Sequence, residues 1–376
     1  MKICVVGPSY PLRGGIAHYT SLLCGALGER GHEVKLISFK RLYPGFLFPG
    51  KTQNDLSGAP ISCESEPLID SMNPFTWFAA GRGARAFGPD LVIAQWWHPF
   101  FAPVLAAVAK RCRSVSKVMF LCHNVVPHEN GGMSSRFLTR MALRHGDCFI
   151  VHSEEDLRGL LAMIPEADVV KSPHPTYAVF NSGTWERDEC RRRLGVSGNV
   201  ILFFGLVRRY KGLMCLIRAM PAVLSKIDAT LLIVGEFYDD KSQYLHEICR
   251  LRIEDKTVAI DQYVPNEDVG GYFTAADVVA LPYVSATQSG VVQIAFGFRK
   301  PVITTSVGGL PEAVSDGETG FVTPPEDPAA LAEAIVKYFQ ESRAEEFAGN
   351  IERKLSEFSW GRMVDLVEGF AARGGD

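Results

Sequence analysis

The chain has 376 residues, about two and a half times the length of a typical single domain, so we expect two domains. Apolar residues make up 47% of the chain and charged residues 22%, which supplies two hydrophobic cores and excludes wholesale disorder. The formal net charge is −3, whereas nucleic-acid binding usually needs a basic surplus, so no nucleic-acid partner is expected.

The chain contains nine cysteines and no C-x-x-C motif. This pattern predicts reduced thiols in a cytoplasmic protein, and neither a disulfide framework nor a zinc site. The apolar N-terminal stretch ends at Gly7, which makes it too short for the core of a signal peptide. Residues 91–109 are uncharged, but their prolines and polar residues predict a strand, a loop and a helix rather than a membrane span.

Strands and helices are predicted to alternate along the first half of the chain. An amphipathic helix over residues 16–29 separates two apolar segments, and this spacing predicts a parallel βαβ unit. Ser153 and Asp156 have the spacing of a capping box, which predicts that a helix begins there. The predicted strands of this half are residues 2–7, 34–39, 91–94, 118–123 and 148–151.

A turn-rich segment precedes a second alternating run, whose predicted strands are residues 200–204, 231–234, 258–260, 278–281 and 302–304. Two such runs predict an α/β protein with two doubly wound Rossmann-like domains facing a central cleft. We assign residues 1–180 and the helical C-terminal segment 358–376 to the first domain, and residues 181–357 to the second. The arginines at positions 191–193 lie on a predicted helix, and we interpret them as a solvated face.

Three glycine-containing segments follow predicted strands and precede predicted helices. Gly14-Gly15 follows the first strand without the G-x-G-x-x-G fingerprint, so an anion site and a plain turn both fit this pair. The segment from Gly205 to Gly212 carries three cations, and Ser289-Gly290 supplies a third helix start. Backbone N–H groups at helix starts favour anions, so the three segments together predict a ligand with a pyrophosphate.

The motifs of the second half resemble those of the retaining glycosyltransferases of family 4, which have the GT-B fold. Gly205, Lys211 and Gly212 match the G-x(5)-K-G motif that holds the donor diphosphate in that family. The family's usual arginine after the first glycine is Leu206 here, and Arg208 resembles the compensating cation of a subgroup. The resemblance runs along nearly the whole chain.

Three further segments extend the resemblance. The run from Lys300 to Glu312 is the most family-specific in the chain. Glu236 follows a segment that resembles the part of the family's sheet beside the donor. Tyr263 and Val264 resemble the loop whose backbone meets the nucleobase.

One departure from the family pattern concerns the ribose. The family's E-x(7)-E pair, whose second glutamate commonly holds the ribose, falls at Ala286 and Ile294, so both carboxylates are missing. Gln288 and Ser289 are the polar side chains nearest to the vacated position. The surrounding A-T-Q-S-G run resembles the same subgroup, so we interpret the loss as a subgroup trait.

His123 lies at the carboxyl end of a predicted strand and matches a histidine that touches the donor sugar in the family; a structural histidine bonded to backbone is the alternative. His18 could lie in the cleft or on the surface. The tryptophans at positions 96 and 97 suit either stacking on a sugar or packing in the core. Candidates for the acceptor side are His18, Trp96, Trp97, Asn124 and His128.

Residues 40–51 combine aromatic and apolar residues with flanking cations, and their prolines and glycines predict a loop. Such a loop suits a lipid-linked acceptor or an anionic membrane surface, and an ordinary loop folded over the core is the alternative. Residues 73–78 fit either interpretation.

The resemblance implies a glycosyltransferase in polysaccharide or glycolipid biosynthesis. The cysteine pattern predicts a cytoplasmic protein, and the loop over residues 40–51 adds the expectation of a peripheral contact at the inner face of the membrane. The glycosyltransferase would move a sugar from a nucleoside-diphosphate-sugar donor to a glycan or lipid-linked acceptor with retention of configuration. The expected catalytic residues are His123, Arg208 and Lys211, and the expected donor-binding residues are Gly14, Gly15, Gly205, Glu236, Tyr263, Val264, Gln288, Ser289 and Gly290. No metal ligand cluster is apparent, so no metal or cofactor besides the donor is expected. A sugar-nucleotide epimerase of the same architecture and a non-catalytic sugar-nucleotide-binding subunit are the alternatives.

Overall fold

The computed structural model describes residues 1–45, 48, 50, 52–125, 132–181 and 183–373. The chain divides into two compact units. Unit 1 comprises residues 1–56, 60–173 and the C-terminal segment from Ser359, and unit 2 comprises residues 57–59 and 174–358. Each unit is built on one parallel sheet, so the predicted α/β class with two doubly wound sheets is confirmed.

Unit 1 has seven described strands in the order β3-β2-β1-β4-β5-β6-β7. These strands are β1 (Lys2–Val6), β2 (Glu33–Arg41), β3 (Glu66–Asp70), β4 (Leu91–Trp96), β5 (Lys117–Cys122), β6 (Cys148–Val151) and β7 (Val169–Lys171). Its helices are α1 (Gly15–Glu29), α2 (Pro74–Phe87), α3 (Ala102–Cys112), α4 (Met133–Leu143), α5 (Glu154–Met163) and the C-terminal helix α14 (Trp360–Ala372).

The strands of unit 1 are buried on both faces, as a doubly wound sheet requires. Along β1, Cys4 and Val6 point into one core while Ile3 and Val5 point into the other. Helices α2, α3 and α4 cover the first of these cores, and α1 and α14 cover the second. Helix α5 begins at the predicted place, because the Ser153 side chain accepts a hydrogen bond from the Asp156 backbone N–H.

Unit 2 has six described strands in the order β10-β9-β8-β11-β12-β13. These strands are β8 (Asn199–Phe204), β9 (Ala229–Val234), β10 (Thr257–Ile260), β11 (Val278–Leu281), β12 (Val302–Thr305) and β13 (Gly320–Thr323). Its helices are α6 (Arg187–Leu194), α7 (Leu213–Leu224), α8 (Lys241–Arg250), α9 (Asn266–Ala275), α10 (Gly290–Gly297), α11 (Leu310–Ala313), α12 (Pro328–Gln340) and α13 (Ala344–Lys354).

Two expectations about local structure were wrong. Residues 73–78 are not a loop, because α2 begins there and the Asn73 side chain caps it by accepting from the Phe75 backbone N–H. Arg191 does not lie on a solvated face. Its guanidinium donates to the Ala275 and Gly198 carbonyls and pairs with Asp277, which ties α6 to the sheet of unit 2.

Across the described ranges, no helix combines the length and the apolar character that crossing a bilayer requires. Residues 91–109 form β4 and most of α3, as the sequence predicts.

Candidate functional site

The strand order of unit 2 reverses between β8 and β11. Strands β9 and β10 lie on one side of β8, and β11 to β13 lie on the other. In open parallel sheets the crevice outside the carboxyl ends of the strands at such a reversal is the usual ligand site. Here the two segments that leave these strand ends are residues 205–212 and 282–290.

Lys211 is held across this reversal by side chains from the β11 end. Its ammonium donates a hydrogen bond to the Tyr283 hydroxyl (3.0 Å), and that hydroxyl lies 3.1 Å from Ser289 Oγ. Ser289 Oγ in turn accepts from the Val291 backbone N–H (3.3 Å) at the start of α10. The chain of three side chains therefore fixes a cation beside a helix N-terminus.

Arg208 and Lys211 supply two cations to this crevice. Burial acts to lower the pKa of Lys211, but the neighbouring phenol oxygens of Tyr283 and Tyr210 outweigh it, so the pKa is raised above its usual value. The Arg208 guanidinium lies 4.9 Å from the centre of the Tyr238 ring. Within the described ranges neither Arg208 nor Lys211 forms an ion pair with a carboxylate. Both cations are therefore able to bind an anion.

The backbone at position 212, directly after Lys211, can accommodate only a glycine. The φ of Gly212 is +69°, and a Cβ on this residue would lie 1.8 Å from the Pro282 carbonyl oxygen. The turn before α7 therefore packs directly against the backbone at the end of β11. This contact sets the distance between Lys211 and Tyr283.

The run from Lys300 to Glu312 supports the loop that carries Ser289. A Cβ at Gly308 would lie 1.6 Å from the Ala286 carbonyl oxygen, and the Gly309 N–H donates to the Thr287 carbonyl (2.8 Å). The Thr305 hydroxyl donates to the Tyr283 carbonyl. These contacts hold the segment from Tyr283 to Thr287, which borders the crevice, in place.

The other predicted donor-binding residues of unit 2 lie at the same edge of the sheet. Glu236 follows β9 and is buried, and its carbonyl accepts from the Val207 N–H (2.9 Å). Tyr263 and Val264 lie between β10 and α9, and Val264 is buried. Gln288 is half-buried beside Ser289, the N-cap of α10.

The positions of the missing carboxylate pair are filled by apolar side chains. Ala286 is buried and Ile294 is half-buried on α10. Besides Ser289, which belongs to the Lys211–Tyr283–Ser289 chain, the polar side chains near these positions in sequence are Ser285, Thr287, Gln288 and Gln293.

Unit 1 has its own reversal of strand order, between β1 and β4. A Cβ at Gly7, directly after β1, would lie 2.6 Å from Cγ of Gln95, so Gly7 makes room for the Gln95 side chain. The buried His123 Nε2 donates to Gln95 Oε1 (2.7 Å). Tyr19 of α1 meets the His123 ring edge to face at 4.6 Å. His123 is thus fixed by side chains from β4 and α1 at the carboxyl edge of the sheet.

His152 is a second buried histidine beside His123, with the ring centres 5.5 Å apart. Burial lowers the pKa of His152 to about 4, although donation of its Nδ1–H to the Ser172 carbonyl (2.9 Å) acts in the opposite direction. The folded chain therefore keeps this ring neutral at pH values where an unfolded histidine is charged.

Acid is expected to destabilise the protein through His152. Below about pH 6.5 the unfolded chain binds a proton that the folded chain excludes, so stability falls as the pH is lowered toward 4, by about 3 kcal/mol in all. Urea unfolding of the wild type and of His152→Gln, at about pH 7 and about pH 4.5, measures this difference. Equal pH dependence in both proteins would contradict the assignment.

The acceptor-side candidates Trp96, Trp97 and His18 differ in their burial and in their contacts. Trp96 is fully buried in the core of unit 1, which leaves no face for a sugar, so stacking by this residue is corrected to core packing. Trp97 packs on Phe101 (4.3 Å between ring centres) and belongs to the rim of the same core. His18 is not a surface residue, because it is buried and its Nε2 lies 3.5 Å from Asp55 Oδ2.

The remaining candidates of unit 1 are less informative. Asn124 is half-buried after His123, and His128 lies outside the described residues. Gly14 is the N-cap of α1 and Gly15 its first residue, and a Cβ on either would meet nothing within 4 Å. No close contact therefore requires a glycine at either position, although the φ of +114° at Gly14 favours glycine there.

The predicted loop over residues 40–51 folds onto unit 1 where it is described. Tyr43 stacks on Phe100 (5.7 Å) and on Phe48 (6.4 Å) and packs against the core. The described part of this segment therefore has the packing expected of a loop folded over the core. Phe46, Leu47, Pro49 and Lys51 lie outside the described residues.

Two residues of these crevices were missed as site residues from the sequence, Gln95 and Tyr283. Each had a signal: a polar residue at the end of a buried strand for Gln95, and a tyrosine directly after another for Tyr283. Among the described residues no group of three or more histidine, cysteine or carboxylate side chains has the geometry of a metal site.

Each of the two units matches a glycosyltransferase family model. Residues 13–173 match the family model described as Glycosyltransferase Family 4, and residues 198–341 match the model described as Glycosyl transferases group 1. An uncharacterised glycosyltransferase of Methanocaldococcus jannaschii is 26% identical, covering 97% of this chain and 96% of the relative. A D-inositol 3-phosphate glycosyltransferase of Catenulispora acidiphila is 27% identical, covering 83% of this chain and 78% of the relative.

Among solved structures, Anabaena HepE in complex with UDP has a TM-score of 0.75 at 19% identity, covering 98% of this chain and all of that chain. At this identity the similarity concerns the fold, and it agrees with the two parallel sheets described above. The architecture is GT-B.

Proposed function

The chain belongs to family 4 of the glycosyltransferases, and from this premise we propose that it transfers a sugar from a nucleoside-diphosphate sugar to a glycan or lipid-linked acceptor. We propose that the configuration at the transferred carbon is retained, as in the rest of the family. The class of enzyme follows from the family, whereas the donor, the acceptor and the stereochemistry are the proposal.

The observation that carries the proposal is the hydrogen-bonded chain from Lys211 through Tyr283 to Ser289. It holds a charged ammonium at the strand reversal of unit 2, beside the start of α10. Sugar transfer leaves a nucleoside diphosphate, on which negative charge grows as the bond to the sugar breaks. A fixed cation and oriented backbone N–H groups stabilise that charge without reorganising.

We assign the diphosphate to Arg208, Lys211 and the backbone N–H groups at Gly290. The UDP bound to HepE supports a nucleoside diphosphate as the ligand class, and both UDP and GDP sugars fit the proposal. Tyr263 and Val264 would contact the base, and Glu236 lies at the adjacent strand end. With Ala286 and Ile294 in place of the glutamates, we propose Gln288 as the ribose contact.

We propose that His123 acts on the transferring sugar and that Gln95 positions it. The Gln95 Oε1 accepts from His123 Nε2, which leaves the proton of a neutral ring on that nitrogen and fixes the tautomer. Gly14 and Gly15 at the start of α1 are proposed as further donor contacts.

A ligand screen by thermal unfolding tests the donor assignment. Uridine and guanosine diphosphates and their sugars are added to the wild type, and the matching donor is expected to stabilise the fold by about 2.7 kcal/mol at a hundred times its Kd. Lys211→Ala is expected to lose most of this stabilisation, whereas Lys226→Ala, an exposed lysine of the same unit, should keep it. Stabilisation of both variants equal to that of the wild type would contradict the proposed diphosphate site.

The same preparations separate the alternatives. A transferase needs an acceptor for turnover beyond background hydrolysis, whereas an epimerase converts the sugar nucleotide with no acceptor. Binding without turnover across an acceptor panel would favour the non-catalytic subunit, the alternative motivated by the apolar residues at 286 and 294. The anomeric configuration of the product, read by NMR, tests retention.

A further inference from the structure

Four large apolar side chains are exposed on helices α2 and α4 of unit 1. Phe75 and Phe78 on α2 are 84% and 48% exposed, and Met133 and Phe137 on α4 are 90% and 70% exposed. Met133 and Phe137 are four residues apart and therefore lie on the same face of α4. Single exposed apolar residues are ordinary, but four on two helices that both pack against α3 need an explanation.

The same helices carry a concentrated positive charge. Helices α2, α3 and α4 with their C-caps contain no aspartate or glutamate. Their eight cations are all exposed: Arg82, Arg85, Lys110, Arg111, Arg113, Arg136, Arg140 and Arg144. Because α3 packs against both α2 and α4, these residues share one side of unit 1, which we call the α2–α4 face.

Most of these cations form no ion pair within the described ranges. Arg113 pairs with Asp147, and Arg111 lies 5.8 Å from the centre of the Phe78 ring. Within the described ranges Arg82, Lys110 and Arg136 form no ion pair. Eight exposed cations that have one carboxylate partner among the described residues repel one another, so the face favours a bound polyanion.

A groove between α2 and α3 concentrates both kinds of side chain. It has a volume of about 830 Å³ and is lined by Phe78, Arg82, Arg85, Lys110, Arg111 and Ser114, among others. Arg85 donates to Ser114 across it (3.4 Å). An aromatic ring beside guanidinium and ammonium groups suits a ligand with a phosphate next to an apolar chain.

The helix dipole does not account for the pattern. The dipole favours cations near helix C-termini and equally favours carboxylates near helix N-termini. The first turns of α2, α3 and α4 contain no carboxylate, so only one half of the pattern that the dipole favours is present. Instead the N-terminal halves of α2 and α4 expose Phe75, Phe78, Met133 and Phe137. The face is therefore both apolar and cationic.

We propose that the α2–α4 face binds the surface of a bilayer that contains anionic phospholipids. The four apolar side chains enter the boundary between headgroups and acyl chains, and the cations contact lipid phosphates. A phosphate surface alone would leave the apolar side chains in water, and an uncharged bilayer would leave the cations without partners. This inference does not depend on the proposed transferase activity, because binding is measured without donor or acceptor.

Vesicle co-sedimentation tests the proposal with the whole chain. Vesicles of phosphatidylcholine alone are compared with vesicles containing about one third phosphatidylglycerol, and the wild type is expected to bind the anionic vesicles at least tenfold more tightly. Added salt should weaken this binding. Arg82→Gln/Lys110→Gln and Met133→Ser/Phe137→Ser are each expected to weaken it about tenfold or more.

A matched control carries the same kinds of change on unit 2. Lys226→Gln/Leu245→Ser replaces one exposed cation and one exposed apolar residue there, and it should bind anionic vesicles like the wild type. All four residues of the test variants are exposed, so loss of folding is not expected, and melting temperatures check this. Binding that is equal for both vesicle types, unchanged in both test variants, or stronger to a single-stranded RNA than to anionic vesicles would overturn the proposal.

Discussion

Replacement of Lys211 by alanine is expected to lower donor turnover by roughly 100- to 1000-fold, the range seen when one group that stabilises a developing anion is removed. The ammonium is fixed by Tyr283 and has no carboxylate partner among the residues described, so its charge is available to the departing diphosphate. Release of nucleoside diphosphate from the donor found in the ligand screen measures the effect. Folding should persist, because Tyr283 keeps its contact with Ser289 in the variant.

Three variants sharpen this experiment. Arg208→Ala should also lower turnover, and Lys226→Ala should not, because Lys226 is an exposed lysine that follows α7, away from the carboxyl ends of the strands. Tyr283→Phe keeps the ring beside Lys211 but removes the hydroxyl that orients the ammonium, so a fall of up to about tenfold is expected. Turnover near the wild-type rate in both Lys211→Ala and Arg208→Ala would contradict the diphosphate assignment.

The central strands of both sheets and the edge strand β10 could be predicted from the sequence, whereas the edge strands β3, β7 and β13 could not. Strands such as β4 and β8 are buried on both faces, so they read as continuous apolar runs. The strands β3 and β7 lie at the edges of the unit 1 sheet and are largely exposed or half-buried, so no apolar run marks them. The edge strand β13 of unit 2 begins with Gly320, which resembles a turn in sequence.

The cations of the unit 2 crevice were predicted because a strand, a glycine and a helix start surround them in sequence. Their partners were not, because Tyr283 and Lys211 are 72 residues apart and meet only through the order of the strands. The same holds for Gln95 and His123 across β4 and β5. Arg191 shows the opposite error: its charged run predicts a solvated side chain, but the fold brings Asp277 and two carbonyls to it.

Replacement of Gly212 by alanine is expected to destabilise unit 2 by about 2–5 kcal/mol and to weaken donor binding as well. The left-handed backbone, with φ at +69°, costs an alanine about 1–2 kcal/mol, and a Cβ 1.8 Å from the Pro282 carbonyl forces the backbone apart. Gly317→Ala is the matched control, because its φ is +73° and its Cβ would meet nothing within 4 Å, so it should lose only the backbone part. Urea unfolding measures both. Since the Gly212 contact sets the spacing of Lys211 and Tyr283, an equal loss of stability in the two variants, with donor binding intact in Gly212→Ala, would contradict this role.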